Sequence, residues 1–284
     1  DLAADGLGTT RAKVPRKRPD GSPMYQNPHP GLARERVRFV GDYVAYVVAE
    51  TLAQAKDAAE LIVVDYEPLP ASVDTAAAME PDTVPVWDDC PDNISNLFEL
   101  GDKDAVDAAF ARAHHVTRQR FVISRVLANA MEPRACIGAY DRHEDRHTIY
   151  CEVGNIHAIR GLLAGDVFGV PENRFRVICG DIGGAFGTKG VTAPENIVSL
   201  YASKKLGRPV KWVAERSEAL LADDHCRDNV SDVELALDEN GTFLALRVRT
   251  MCAIGAYLSS DRNLQATFGN LGSLAGVYRT PAIH

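Results

Sequence analysis

Three observations predict an α+β protein built in two parts. A capped helix near residue 51 sits between β-branched apolar runs. The second half alternates short apolar strands with helix-sized segments. A strong hairpin turn, Asn240-Gly241, joins two more strands near the end. With 284 residues, 46% hydrophobic and 25% charged, the chain has the length of about two domains and a globular composition.

Residues 1–32 are rich in Gly, Pro and Arg, carry little periodicity and read as a long surface loop. Strands are expected at 37–40 and 44–48, broken by Gly41-Asp42. Thr51 followed by Gln54 is a capping-box signature, in which each side chain satisfies the other residue's backbone N–H. It predicts a helix to about Glu60. The run 61–66 reads as a strand that Pro68 and Pro70 end, since proline donates no ladder hydrogen bond. Strand, helix and strand so close together make residues 1–75 one α/β unit. Residues 76–100 mix Pro, Asp and Ala without a period and read as a linker.

Residues 101–284 form the second part. Val106, Ala109, Phe110 and Ala113 recur at helical spacing within 104–113. A strand is expected at 115–124, then a hairpin, 135–140 with 147–152, around the charged turn 141–146. A helix follows over 156–168, stopped by Gly169 and Pro171. Residues 175–179 read as a strand leading into a glycine-rich loop. Thr192 and Glu195 repeat the capping-box spacing and predict a helix to about Leu206, with Gly207 and Pro209 as stops. Strands at 210–214, 233–237 and 244–251 complete the reading.

The 31 basic and 39 acidic residues give a net charge of −8, which excludes a protein that tracks nucleic-acid phosphates with a basic face. No run approaches the roughly 18 apolar residues of a membrane span. The chain has no initiator Met and no leader pattern, and both ends fall inside ordinary sequence, so it reads as an internal piece. Six scattered cysteines without a Cys-x-x-Cys pair read as reduced core residues, which favours a cytoplasmic setting.

The glycine loop is the foremost candidate site. Glycines at 180, 183, 184, 187 and 190 permit positive φ and close approach of a ligand to the main chain. Exposed amides of such a loop cradle anions, and a helix start near Thr192 adds positive potential. A phosphate or a polar metal-oxo group suits it. The bland alternative, a tight strand-to-helix crossing that binds nothing, carries equal weight on the residues alone. The loop is no nucleotide P-loop, because Gly190 follows Lys189 where Ser or Thr is needed.

The run Asp181-Ile182-Gly183-Gly184-Ala185-Phe186-Gly187-Thr188-Lys189 resembles the cofactor loop of the molybdenum hydroxylase large subunits, the family of xanthine dehydrogenase, aldehyde oxidase and carbon monoxide dehydrogenase. Met131-Glu132-Pro133-Arg134, the segment 36–70, and Arg208-Pro209-Val210-Lys211-Trp212 fit the same family in the same order. The resemblance implies the end of an α/β hammerhead domain (1–75), a linker (76–100) and the first part of a molybdopterin-binding domain (101–284). It implies an oxidoreductase that hydroxylates a carbon centre of a small-molecule substrate with water-derived oxygen.

The same resemblance places cofactor contacts on Gly183, Gly184, Ala185, Phe186, Gly187 and Thr188, with Phe186 and Gly187 beside the metal. A family Gln facing the metal falls here on Gly154 or Asn155, and Asn155 keeps a shorter amide. The cofactor implied is molybdenum-molybdopterin in its cytosine dinucleotide form. The partners implied are an FAD-binding medium subunit and a [2Fe-2S] small subunit, arranged as a dimer of heterotrimers. The family's catalytic base lies downstream of this chain, which is expected to be inactive alone. Glu132 and Glu218 are expected in salt bridges or on backbone donors rather than as its replacement.

Two rival readings stand beside this one. A folded scaffold without catalysis is the first. The second is a zinc peptidase, because His143-Glu144-Asp145-Arg146-His147 matches His-Glu-x-x-His. That chemistry needs both rings on one helical face, whereas this stretch lies in a turn between strands. His114-His115 and Asp223-Asp224-His225 read as solvated polar clusters.

Overall fold

Thr51 starts the first helix as its capping box requires. In the computed structural model, which describes residues 2–14, 16–190, 192–264, 267, 269 and 273–284 (with nothing said of the side chains of 262 and 263), α1 runs Leu52–Glu60. Thr51 and Gln54 exchange the reciprocal cap bonds. The strands expected around it do not form. Residues 37–40, 44–48 and 61–66 belong to no ladder among the described residues, and 39–42 form a turn. Their apolar pattern is satisfied locally only in part, for Val40, Val63 and Tyr66 remain exposed. Gly41, at φ +114, turns the chain between the first two.

The linker is bound rather than free. Trp87 donates its indole N–H to the Ala256 carbonyl at 2.8 Å, and the Arg38 guanidinium lies 4.0 Å over its ring. Tyr257, stacked on His29 at 4.2 Å, donates to Asp42 at 2.7 Å. Through these contacts the first part of the chain rests on residues 254–258.

The second part holds two four-stranded sheets. α2 (Lys103–Ala111), capped by Asp102, buries Val106 and Ala109 against Ala236 and Ala245 of the first sheet. That sheet has the order β1-β6-β7-β8, with β1 at His115–Leu127, β6 at His225–Leu237, β7 at Phe243–Cys252 and β8 at Ala282–Ile283. β1, β6 and β7 are antiparallel, and β8 joins β7 in parallel. Gly241, at φ +81, makes the expected turn.

The second sheet has the order β4-β3-β2-β5: β2 is Ala135–Asp141, β3 Arg146–Cys151, β4 Phe175–Ile178 and β5 Val210–Val213. β3 and β4 run parallel, so a crossover must link them. α3 (Ile156–Gly161) and a following π-helical turn (Leu162–Val167) supply it. They bury Ile159, Leu163 and Val167 against Ile149 and Phe175 in the main core. α4 (Pro194–Leu206) lies across β2, where a Cβ on Gly138 would stand 2.7 Å from the Leu200 nitrogen. Only glycine admits so close a helix.

The predicted cap of α4 is corrected. Ala193, not Thr192, is the N-cap, without a side-chain bond, and Pro194 opens the helix. A proline at the first helical position needs no N–H partner, so the helix starts without the box. Thr192 Oγ1 is buried and makes no hydrogen bond among the described residues. Gly207, at φ +67, ends the helix as read. A short helix, α5 (Arg216–Ala222), was not signalled by periodicity. No described helix is long and apolar enough to cross a membrane.

Candidate functional site

The glycine loop leaves β4, the edge strand of the second sheet, and returns through a short 3-10 turn (Thr188–Gly190) into α4. Three of its residues have positive φ: Gly184 at +104, Phe186 at +48 and Gly187 at +105. Phe186 is the notable member. A bulky side chain rarely adopts this conformation, and strain of this kind persists only where neighbours over-determine it. The residue is 76% exposed, so burial of its side chain does not explain the strain.

The loop's donors divide into two sets. Gly183 N–H donates to Glu132, Thr188 N–H to the Ala185 carbonyl, and Gly190 N–H to the Gly187 carbonyl. The N–H groups of Gly184, Ala185, Phe186 and Gly187 donate to no protein acceptor among the described residues. Amides without an intrachain acceptor on a strained, partly exposed turn present partial positive charge to an oxygen-rich group without reorganisation. Thr188 is buried and its hydroxyl is spent on the Ala185 carbonyl at 2.9 Å. Of the six loop residues named from sequence, Gly184, Ala185, Phe186 and Gly187 have N–H groups without an acceptor among the described residues, Gly183 is bonded to Glu132 through both its N–H and its carbonyl, and Thr188 closes the turn.

The segment that carries Asn155 meets the downstream end of the loop through its neighbour Gly154. Gly154 N–H donates to the Lys189 carbonyl at 2.9 Å, which fastens the segment between β3 and α3 to the end of the loop. Asn155 is exposed and is the N-cap of α3, its Oδ1 accepting from Ala158 N–H at 3.1 Å. Its amide nitrogen makes no hydrogen bond among the described residues.

Behind the loop lies an ionic layer that sequence reasoning saw only in part. Glu132 forms a salt bridge and satisfies a backbone donor, as expected of it. The depth of Lys189 was not legible, since in the sequence it counts only against a nucleotide loop. Its side chain is 1% exposed. The Lys189 ammonium and then the Gly183 amide hold the Glu132 carboxyl below the usual carboxylate range. Two residues on, Arg134 donates to Glu195 and to Asp223, both at 2.7 Å, and to the Tyr43 hydroxyl at 3.2 Å. Glu218 sits in the short helix α5, where burial raises its carboxyl.

The peptidase pattern comes apart. His143 lies in the exposed turn and His147 on β3, buried between Phe168 and Phe175 at 4.8 and 4.7 Å. A turn and a strand do not present two rings to one metal as a helix does. His115 and His225 sit at opposite strand ends of the first sheet, each facing a leucine partner. A cleft of about 2130 Å³ runs between the 84–100 segment and the β6–β7 sheet. Of the loop only Thr188 lines it, so depth does not mark the site.

Residues 86–284 match the sequence profile of the molybdopterin cofactor-binding domain. The chain belongs to that family. Residues 8–70 match the a/b hammerhead domain of aldehyde oxidase and xanthine dehydrogenase. Among family relatives, the carbon monoxide dehydrogenase large chain of Afipia carboxidovorans is 34% identical over 89% of this chain and 33% of its own length. The 6-hydroxypseudooxynicotine dehydrogenase complex subunit gamma of Paenarthrobacter nicotinovorans is 36% identical, over 89% of this chain and 31% of its own. Of solved structures, reconstituted CO dehydrogenase from Oligotropha carboxidovorans superposes with a TM-score of 0.78 at 33% identity, covering 88% of this chain and 31% of that one. The chain thus spans about a third of the length of the relatives it matches.

Proposed function

We propose that this chain is part of the large, molybdenum-cofactor-binding subunit of an oxidoreductase that hydroxylates a carbon centre with water-derived oxygen. The observation that carries the reading is the row of four amides at 184–187 that have no acceptor among the described residues, in a chain of this family. The cofactor, when bound, supplies the redox-active metal and the path by which electrons leave the substrate. The residues of this chain fit it. Gly184, Ala185, Phe186 and Gly187 offer donors, Gly183 is held by Glu132, Thr188 holds the turn, and Asn155 keeps an amide nitrogen without an acceptor among the described residues. Their work is to bind, orient and stabilise negative charge at fixed donors.

The finer parts of the reading follow the family. The cofactor is taken to be the cytosine dinucleotide form. An FAD-binding medium subunit and a [2Fe-2S] small subunit are the proposed partners, in a dimer of heterotrimers located in the cytoplasm. All six cysteines are free, which supports a reducing compartment. The proposed domains are 1–75, with a linker at 76–100, and 101–284; profile matches at 8–70 and 86–284 support two units, with the second starting within the linker. Purification of the full-length natural protein with its co-purifying subunits tests all of this. Molybdenum near one atom per large subunit, and cytidine monophosphate released on acid hydrolysis, are expected. Absence of molybdenum from protein made with ample molybdate would favour a scaffold.

A further inference from the structure

We propose that Glu132 is a positioning residue that sets the shape of the glycine loop, with the buried Lys189 ammonium as its counter-ion. The proposal rests on the cofactor reading above. One carboxylate oxygen, Oε2, takes both the Gly183 N–H at 2.7 Å and the Lys189 Nζ at 2.9 Å. Those two residues bracket the strained turn. Glu132 N–H also donates to the Gly183 carbonyl at 3.2 Å, so a single residue grips both faces of one loop residue. The grip leaves no space: a Cβ on Gly183 would stand 2.6 Å from Glu132 Cβ.

Between the two gripped points lie Gly184, Phe186 and Gly187 at positive φ, their amides without an acceptor among the described residues. Among the described residues, 184–187 accept hydrogen bonds only at the Ala185 and Gly187 carbonyls, from Thr188 and Gly190 at the downstream end, so the strain is imposed from the ends. The base of the grip is itself fixed, because Arg134, two residues along, is tied to Glu195 on α4 and to Asp223. The burial of the pair is lopsided, 1% exposure for the Lys189 side chain against 40% for Glu132. A half-exposed ion pair contributes little to global stability. Its effect is local, on the loop.

The test uses the full-length natural protein in its complex, as wild type, Glu132→Ala and Glu132→Gln. Hydrogen exchange of peptide 181–190 is read in cofactor-depleted protein, and molybdenum content in protein as purified. Glu132→Ala should speed loop exchange roughly tenfold or more, as expected for losing a hydrogen bond to a charged group, with a matching loss of molybdenum. Glu132→Gln keeps an acceptor for Gly183 N–H and should fall between the two. Melting temperature should stay close to wild type in both. Unaltered exchange and loading in Glu132→Ala, with a loaded wild type, overturn this proposal alone. So does a loss of molybdenum that merely follows a large fall in melting temperature. A wild type without molybdenum overturns the cofactor reading instead, whatever the exchange shows.

Discussion

Arg134 and Glu195 form an ion pair of 2.7 Å that is almost wholly buried, their side chains retaining 10% and 3% of their exposure. Asp223 completes the group at 2.7 Å from the same guanidinium. Burial raises the Glu195 carboxyl, and Arg134 opposes that rise. Replacing Arg134 by Met would leave two buried carboxylates without their cation. The expected loss is about 3–5 kcal/mol of unfolding free energy, the usual result of breaking a buried pair from one side. Urea titration of the two proteins checks it.

Gly187→Val should abolish cofactor retention in the full-length protein. Gly187 stands at φ +105, where a β-branched residue is strained by on the order of 1–3 kcal/mol, and the added bulk lies beside the free amides. Metal analysis reads the outcome; full molybdenum and full turnover would mean the loop is only a crossing.

Asn155 has two separable duties. Asn155→Ala removes the α3 cap and should cost about 1 kcal/mol of stability. Asn155→Asp keeps the capping oxygen, so the melting temperature should hold. It removes the free donor, and turnover should fall by about 2.7–4 kcal/mol in the barrier if that amide faces the reaction. Turnover that tracks only the melting temperature would make Asn155 purely structural.

Gly138→Ala should destabilise the fold by roughly 1–3 kcal/mol, since overpacking forces backbone shifts. The new Cβ would meet the Leu200 nitrogen and the Ser199 carbonyl carbon, each at 2.7 Å, and neither is a flexible side-chain end. A shift in melting temperature measures it.

His147 predicts a pH dependence. Burial, then the Lys204 ammonium, hold its imidazole down to about 4, against 6.5 ordinarily, and Asp145 opposes them weakly. On acidification the unfolded chain takes up the proton first. Stability from this residue is therefore whole above pH about 6.5 and declines as pH falls towards 4, by about 3 kcal/mol in all. His147→Phe should flatten the slope across that window, leaving the share of His29, also held down to about 4. An unchanged slope would show that His147 titrates normally.

Local chemistry was the legible part of the fold. Thr51 with Gln54, Asn240-Gly241 and Gly207 each settle a cap or turn through bonds made within a few residues. Thr192 carries the same spacing as Thr51, but Pro194 starts the helix one residue later, and the signature fails. The runs 37–40 and 61–66 announce extended chain, yet no residue in them names a partner strand. β6 was read as 233–237 because Arg227, Asp228 and Asn229 interrupt its apolar pattern; the strand runs His225–Leu237 with Arg227 and Asp228 at positive φ. At the site, glycine spacing marked the loop. What lies behind it was hidden, because the burial of Lys189 depends on residues 57 positions away.

The two anchors of the loop fix its length. Upstream, β4 is paired with β3 in a set register, Phe175 opposite His147 through Ile178 opposite Tyr150. Downstream, all six residues from Glu195 to Leu200 are buried, so α4 has no free face on which to rotate or slide. A deletion or insertion between these anchors cannot be absorbed by shifting either one. It has to be taken up within the connection itself, by redrawing the turn at Phe186 or by undoing the 3-10 turn after it. Variation in this segment is thus confined to exchange of residue identity at constant length.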